Sequence, residues 1–465
     1  MTRPPLDTLR GAGKVAIWGF GIEGKAVFEY IGKHFPDVQL AVLSDGPLPE
    51  PDIAWIGRTA GKAVAFIHGD ALAAAVQSGD FDLIVKSPGV SLYRPEVIAA
   101  KRQGIEFTSA TNLWFAQNRS AKTVVVTGTK GKSTTARLLH HLLRQAGVDA
   151  LLLGNVGIPA LGHDAGSACA VLELSSYQIA DLTYAPDIAV VTNLFPEHAP
   201  WHGTVDNYFR DKLRLLTLAD GTRKICNFAD ARLRAACDGM SIDWFNTPTG
   251  YDVKDGILLY RGKSVDCASF PLKGEHNLSN LAAACTVADI LGIHGSRHRV
   301  ELASFRQLRH RLEEFVVGTP ELLCVNDSIS TVPQATIAAL KAYPDRPIVL
   351  LLGGTDRGQD YSELLEFLPR TQVKAIVLLP PNGARIEMQM QGHAMAGKVF
   401  RADRFEQGVK EALRRAAPGD MLLLSPAAPS FGEFRNFEER GEAFKALCEA
   451  NVALVGDAGS QGQPP

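Results

Sequence analysis

Apolar positions along this 465-residue chain fall into two alternating rhythms. Short runs rich in Val, Ile and Leu, at 14–18, 40–43, 82–86, 123–126, 149–153, 169–172 and 188–192, read as buried parallel strands. A later series at 322–325, 347–352, 375–379 and 420–424 reads the same way. Between them lie segments with apolar residues at helical spacing, such as KAVFEYIGKHF, ARLLHHLLRQAG, NYFRDKLRLLTL and the small-residue NLAAACTVADIL. That alternation predicts an α/β fold of doubly wound parallel sheets. Polar interruptions near 108–120 and a fresh strand series beyond 305 predict three domains, over 1–110, 111–309 and 310–465. The tail GDAGSQGQPP, from about residue 456, is expected to be disordered.

Open parallel sheets bind ligands beyond the carboxyl ends of their strands, so what each strand delivers matters. The run 123–126 delivers Gly128-Thr129-Lys130-Gly131-Lys132-Ser133-Thr134 and then a helix, which is the layout of a phosphate-binding loop. Glycines let several backbone N–H groups face one anion, and the helix N-terminus adds unpaired donors and partial positive charge. Lys132 would reach the β- and γ-phosphates, and the Ser133 or Thr134 hydroxyl would hold magnesium. Val126 stands where the longer form of the pattern has its first glycine, so the loop is short.

The first run delivers Gly19-Phe20-Gly21-Ile22-Glu23-Gly24, and the second strand ends at Asp45. This G-x-G-x-x-G spacing fits an NAD site, a site for another diphosphate such as a UDP-sugar, or tight strand–helix packing alone. The run 82–86 leads to Ser87-Pro88-Gly89, again at a carboxyl strand end. In the middle region, three strands deliver Gly154-Asn155, Glu173 and Asn193 through His198. Their ends should meet at one edge, with Glu173 and His198 near the phosphates. A carboxylate capping an apolar strand needs compensation, which a magnesium ion would supply, although a capping or ion-paired Glu is the plainer alternative. On the residues alone His198 is as readily a hydrogen-bonded loop histidine as a ligand, Lys212 reads as a solvated helix lysine, and Asn277 reads by default as a helix cap.

Composition narrows the classes. Hydrophobic content of 46%, charge of 21% and a net charge of −2 describe a soluble globular protein, with no sign of a nucleic-acid or membrane surface. Seven cysteines without C-x-x-C pairs argue against a disulfide framework or zinc site. With no signal-peptide pattern or spanning apolar run, a cytoplasmic location is expected.

The glycine fingerprint, then GTKGKST, Glu173-Leu174-Ser175-Ser176, Glu275-His276-Asn277 and Asn326-Asp327-Ser328, in that order, closely resemble the Mur ligases. These are ATP-dependent amide-forming enzymes of peptidoglycan precursor synthesis, and the likeness is nearest to those adding glutamate to UDP-N-acetylmuramoyl-L-alanine. The resemblance implies a Rossmann-like UDP-binding domain, a central P-loop ATPase-like domain and a Rossmann-like C-terminal domain. ATP would be bound by residues 128–134 with Asn277, Arg311 and Asp327. Gly19, Phe20, Gly21, Ile22, Glu23, Asp45 and Gly89 would cradle the UDP group, with Asn155 on the substrate chain. Two magnesium ions would be held by Ser133, Thr134, Glu173, His198 and a carbamylated Lys212. Thr331, Arg357, Ser430 and Phe437 would receive glutamate. Ile329 stands where D-glutamate enzymes commonly carry Lys, and the segments 197–203, 356–358 and 428–432 look like the L-glutamate branch. L-glutamate is therefore expected, with D-glutamate the alternative. The implied enzyme is a monomer acting on small molecules. A folylpolyglutamate synthase lacks the first domain, and an NAD-dependent protein would leave GTKGKST without a purpose.

Overall fold

The computed structural model describes residues 5–61, 63–155, 158–197, 199–294, 300, 302, 305, 309–319, 321–356 and 358–456. His198, Arg357 and nearly all of the expected tail lie outside them. The chain forms two compact units, one of Met1–Phe270 with Asn277–Ala303 and one of Pro271–His276 with Ser304–Pro465.

The first unit holds two parallel sheets. In the first, β1 (Lys14–Trp18), β2 (Gln39–Ser44), β3 (Ala65–His68), β4 (Leu83–Lys86) and β5 (Phe107–Thr108) lie in the order β3-β2-β1-β4-β5. The reversal between β2 and β4 puts the glycine fingerprint after β1 and the Ser-Pro-Gly turn after β4 side by side. The second sheet comprises β6 (Lys122–Thr127), β7 (Ala150–Gly154), β8 (Cys169–Glu173), β9 (Ile188–Val191), β10 (Arg223–Asn227) and β11 (Asp243–Phe245). Its order, β11-β10-β9-β6-β8-β7, sets β6 between β8 and β9, so the phosphate loop emerges flanked by Glu173 and Asn193. The buried Val124, Val125 and Val126 of β6 show why the run is β-branched: both faces are covered.

One hydrophobic cluster joins the two sheets, running from Val15 and Ile17 through Trp114 to Val125 and Leu172. Trp114 lies on the helix Ala110–Gln117, at the start of which the sequence placed a domain boundary. A small antiparallel sheet, β12 (Tyr251–Lys254), β13 (Ile257–Tyr260) and β14 (Lys263–Ser264), follows. Its strands, of two to four residues, are too short for the sequence pattern to reveal them.

The second unit holds β15 (Glu313–Val317), β16 (Leu322–Asn326), β17 (Ile348–Gly353), β18 (Val373–Leu379), β19 (Val399–Arg401) and β20 (Met421–Leu424). They are ordered β15-β16-β20-β17-β18-β19, all parallel except β15. Separate apolar clusters cover its two faces, as expected for a doubly wound sheet.

Candidate active site

After Thr127 the chain turns through Gly128 (φ +145°) and Gly131 (φ +81°) into the helix Lys132–Gln145. Both positions are also sterically closed. A Cβ on Gly128 would lie 1.9 Å from Thr192 Oγ1, and one on Gly131 would lie 2.2 Å from Asn280 Oδ1. Gly131 is the N-cap and no side chain caps the helix there, which suits that end to an anion.

The loop is held from both sides. Lys130 N donates to Asn193 Oδ1 (2.7 Å), while Asn193 Nδ2 (2.9 Å) and Thr192 Oγ1 (2.6 Å) donate back to Lys130 O. Thr129 Oγ1 meets Tyr208 OH at 2.8 Å and accepts from Phe195 N at 2.9 Å. Lys132 Nζ folds over the loop onto Thr129 O (3.0 Å), and Lys130 Nζ pairs with Glu197 (2.7 Å). Asn193, Asn280 and Tyr208 have no role legible in the sequence; only the polar end of the strand 188–192 pointed toward the first of them.

Lys212, on the helix Val205–Leu213, is 2% exposed and donates from Nζ to Gly128 O at 2.8 Å. Burial, reinforced by the Lys132 charge, pushes its pKa well below the ordinary lysine value, while Glu197 and Glu173 oppose that shift. The amine is therefore biased toward its neutral form. Lys132, Lys130, Glu197 and Glu173 thus all act electrostatically on Lys212 at the edge the sequence predicted.

Glu173 closes β8 and is 1% exposed. Asn155 Nδ2 approaches its Oε1 at 3.4 Å, whereas Oε2 is buried without a hydrogen-bond partner among the described residues. Such an oxygen is costly unless a ligand completes it. Among the described residues no three His, Cys, Asp or Glu side chains form a metal cluster. A magnesium site needs only one or two carboxylates, with hydroxyl, water and phosphate oxygens supplying the rest. Glu173 Oε2 and the Ser133 hydroxyl are hard oxygen donors of that kind, so these residues fit the ion. Asn277, 6% exposed, accepts from Asn280 Nδ2 at 3.3 Å.

At the first sheet, Gly19 has φ +90°, and a Cβ on Gly24 would come within 2.1 Å of Gly19 O. Ser87 Oγ donates to that same carbonyl at 2.8 Å, joining the two turns. Asp45 pairs with Arg94 at 2.7 Å, and Arg94 lies over the Trp18 ring. Phe20 is buried and Ile22 exposed. The Glu23 side chain turns inward, where Gln178 Nε2 donates to Oε1 at 2.6 Å and burial lifts its pKa to about 7.

In the second unit, Asp327 follows β16 and is 3% exposed. Its carboxylate accepts from Ser330 Oγ, Ser425 Oγ (2.8 Å) and Leu312 N (3.3 Å), and burial lifts its pKa to about 6 against the Arg311 charge. Ser430 is nearly buried, Thr331 half-buried, and Phe437 opens the helix Phe437–Ala450. Arg440 of that helix braces their surroundings, donating to Ser328 O (2.7 Å), Ala428 O (3.0 Å) and Pro429 O (3.1 Å).

Sequence comparison identifies a Mur ligase middle domain over residues 126–288 and a Mur ligase glutamate ligase domain over 310–428. A Xanthomonas axonopodis pv. citri protein is 38% identical over 95% of this chain and 96% of its own length. A Salinispora tropica protein is 39% identical over 94% of this chain and 98% of its own. Both are named UDP-N-acetylmuramoyl-L-alanine–L-glutamate ligase. Among solved structures, the fold is similar to UDP-N-acetylmuramate-alanine ligase MurC from Thermotoga maritima (TM-score 0.56, 16% identity, 93% of this chain and 98% of that one). It is equally similar to the MurF ligase of Thermotoga maritima in complex with ADP (TM-score 0.56, 16% identity, 94% of each chain). The chain belongs to the Mur ligase family.

Proposed function

We propose that this chain is an ATP-dependent ligase that joins L-glutamate to UDP-N-acetylmuramoyl-L-alanine in peptidoglycan precursor synthesis. The observation that carries this reading is the glycine-lined loop backed by a sealed lysine, Lys212, and by Glu173, whose Oε2 is buried and has no hydrogen-bond partner among the described residues. The names of the relatives favour L-glutamate. Among the described residues no helix is long and apolar enough to cross a membrane, which suits a cytoplasmic enzyme with nucleotide substrates.

Residues 128–134 would hold the ATP phosphates, with Lys132 swinging from Thr129 O onto them and Asn277, Arg311 and Asp327 serving the adenosine side. Gly19 to Glu23, Asp45 and Gly89 would cradle the UDP group, and Asn155 the muramoyl-alanine end. The alanyl carboxylate attacks the γ-phosphorus, ADP leaves, and an acyl phosphate results. The glutamate amine then adds to the acyl carbon, and phosphate departs from the tetrahedral intermediate. Chain residues align and neutralise charge, and no protein nucleophile is required. Glutamate would be received by Thr331, Arg357, Ser430 and Phe437. Ser133, Thr134, Glu173, His198 and Lys212 would hold two magnesium ions, which when bound offset negative charge on the phosphates. The neutral bias of Lys212 suits it to capture CO₂ as a carbamate, an anionic oxygen ligand.

The test offers the purified chain UDP-N-acetylmuramoyl-L-alanine and ATP with either glutamate enantiomer and follows phosphate release and product mass. Dipeptide product with L-glutamate alone supports the reading, and product with D-glutamate alone reverses the stereochemical part. Lys132→Ala should reduce turnover by about a thousandfold or more. Near-normal phosphate release by that variant would overturn the role of the loop.

A further inference from the structure

A buried polar chain outside the phosphate loop links parts of the first unit that are far apart in sequence. His202 is fully buried, at 0% exposure. Its Nδ1 lies 2.7 Å from Asp211 Oδ2 and its Nε2 lies 3.0 Å from Ser176 Oγ. Asp211 also accepts from Tyr93 OH, at 2.8 and 3.0 Å to its two oxygens. With Nδ1 donating to the Asp211 carboxylate, Nε2 is left to accept from the Ser176 hydroxyl. Every polar atom in the relay is thereby matched.

Ser–His–Asp is also the order of a nucleophile triad, but Ser176 is 2% exposed and no acyl group can reach it. What the chain joins points elsewhere. Ser176 opens the short helix immediately after Glu173-Leu174-Ser175, and Asp211 immediately precedes Lys212. Tyr93 follows the Ser87–Gly89 turn of the first sheet, and Trp201, beside His202, donates from Nε1 to Pro88 O at 3.0 Å. Ser91 Oγ donates in turn to Trp201 O.

We infer that His202 is a positioning residue which, through Ser176, Asp211 and Tyr93, fixes Glu173 and Lys212 relative to the 87–93 loop of the first sheet. The inference rests on the proposed ligase reaction for its kinetic readout. Its structural basis is a single hub bonded to Ser176, three residues after Glu173, and to Asp211, next to Lys212 in the chain. A relay with all its donors and acceptors paired has one low-energy arrangement, and that arrangement sets the separation of the acyl-bearing substrate from the ATP site.

The test compares wild type with His202→Ala, His202→Asn and Tyr93→Phe by steady-state kinetics and by hydrogen exchange of the unliganded chain. His202→Ala should lower kcat about tenfold or more with little change in the ATP KM, because alignment rather than nucleotide binding is lost. His202→Asn keeps a donor toward Asp211 and should recover part of the loss. Tyr93→Phe should raise the KM for UDP-N-acetylmuramoyl-L-alanine several-fold, on the order of a factor of 3–10, since it frees only the substrate-side loop. Exchange should quicken together in 87–93 and 205–213. Kinetic constants within about twofold of wild type in folded His202→Ala, with faster exchange confined to 199–202, would overturn the inference. Should His202→Ala fail to fold, Tyr93→Phe, which removes one oxygen atom, decides by the same two readouts. A wild type that forms no product would refute the ligase reading, and the exchange result would still decide the relay.

Discussion

Glu173 and Asp327 make an instructive pair. Each is an acid at or just past the carboxyl end of a parallel strand, and each is almost wholly buried. Around Asp327, the fold itself supplies the partners: two serine hydroxyls and a backbone N–H converge on the carboxylate. Around Glu173, one long contact from Asn155 serves Oε1, and among the described residues Oε2 has none. The first carboxylate is a component of its own sheet edge, whereas the second is left incomplete by the described residues. Burial of an acid therefore says little about function until its partners are counted.

That contrast can be broken in three ways. Glu173→Gln keeps the Oε1 contact with Asn155 and replaces only an oxygen that has no hydrogen-bond partner among the described residues, so the apo protein should lose little thermal stability while turnover falls about a hundredfold to a thousandfold. Calorimetry alongside the coupled phosphate assay checks both halves, and a large drop in Tm would erase the distinction from Asp327. Asp327→Ala should do the opposite to stability. It strands Ser330, Ser425 and Leu312 N, and should cost about 3–5 kcal/mol in a denaturant titration.

The third and smallest effect is on pH dependence. Burial raises Asp327 from 3.8 to about 6, so folding takes up a proton between those values. Its contribution is full below about pH 4, declines as pH rises to 6 and amounts to at most about 3 kcal/mol. Asp327→Asn should flatten the stability curve across that window. An unchanged slope would mean that the carboxylate is not the group responsible. Glu23, lifted to about 7 by burial, carries the same sign and should leave a residual slope between its ordinary value and that pH.

Much of this edge was readable in advance. The β-branched run 123–126, two glycines and Lys132-Ser133 require a strand, a tight turn and a helix whatever surrounds them, and the structure has all three. Glu173 was visible as a lone acid ending an apolar run. Asn193 and Asn280 were not, because their value lies in bonds to Lys130 and Thr135 that sequence distance conceals. The same holds for Tyr93, Ser176, His202 and Asp211. Ser176 and His202 lie inside quoted motifs and Tyr93 and Asp211 do not, but none of the four shows its partners in its own segment, and they become a relay only when the helices carrying three of them meet Tyr93. The hairpin β12–β13 escaped for another reason: its half-exposed strands give a weak alternation.

By itself the sequence determined the central apolar strands of the parallel sheets and which of their ends carry phosphate-binding, acidic and amide groups, whereas the strands 65–68, 107–108, 223–227, 243–245, 313–317 and 399–401 did not stand out. Backbone sterics and side-chain periodicity act locally, and a single chain displays them in full. Only the tertiary structure decided that β6 sits between β8 and β9, that Lys212 is sealed against Gly128 O, and that Asp327 is satisfied while Glu173 is not. Those outcomes depend on desolvation and on partners brought from distant parts of the chain, and neither is a property of any one segment.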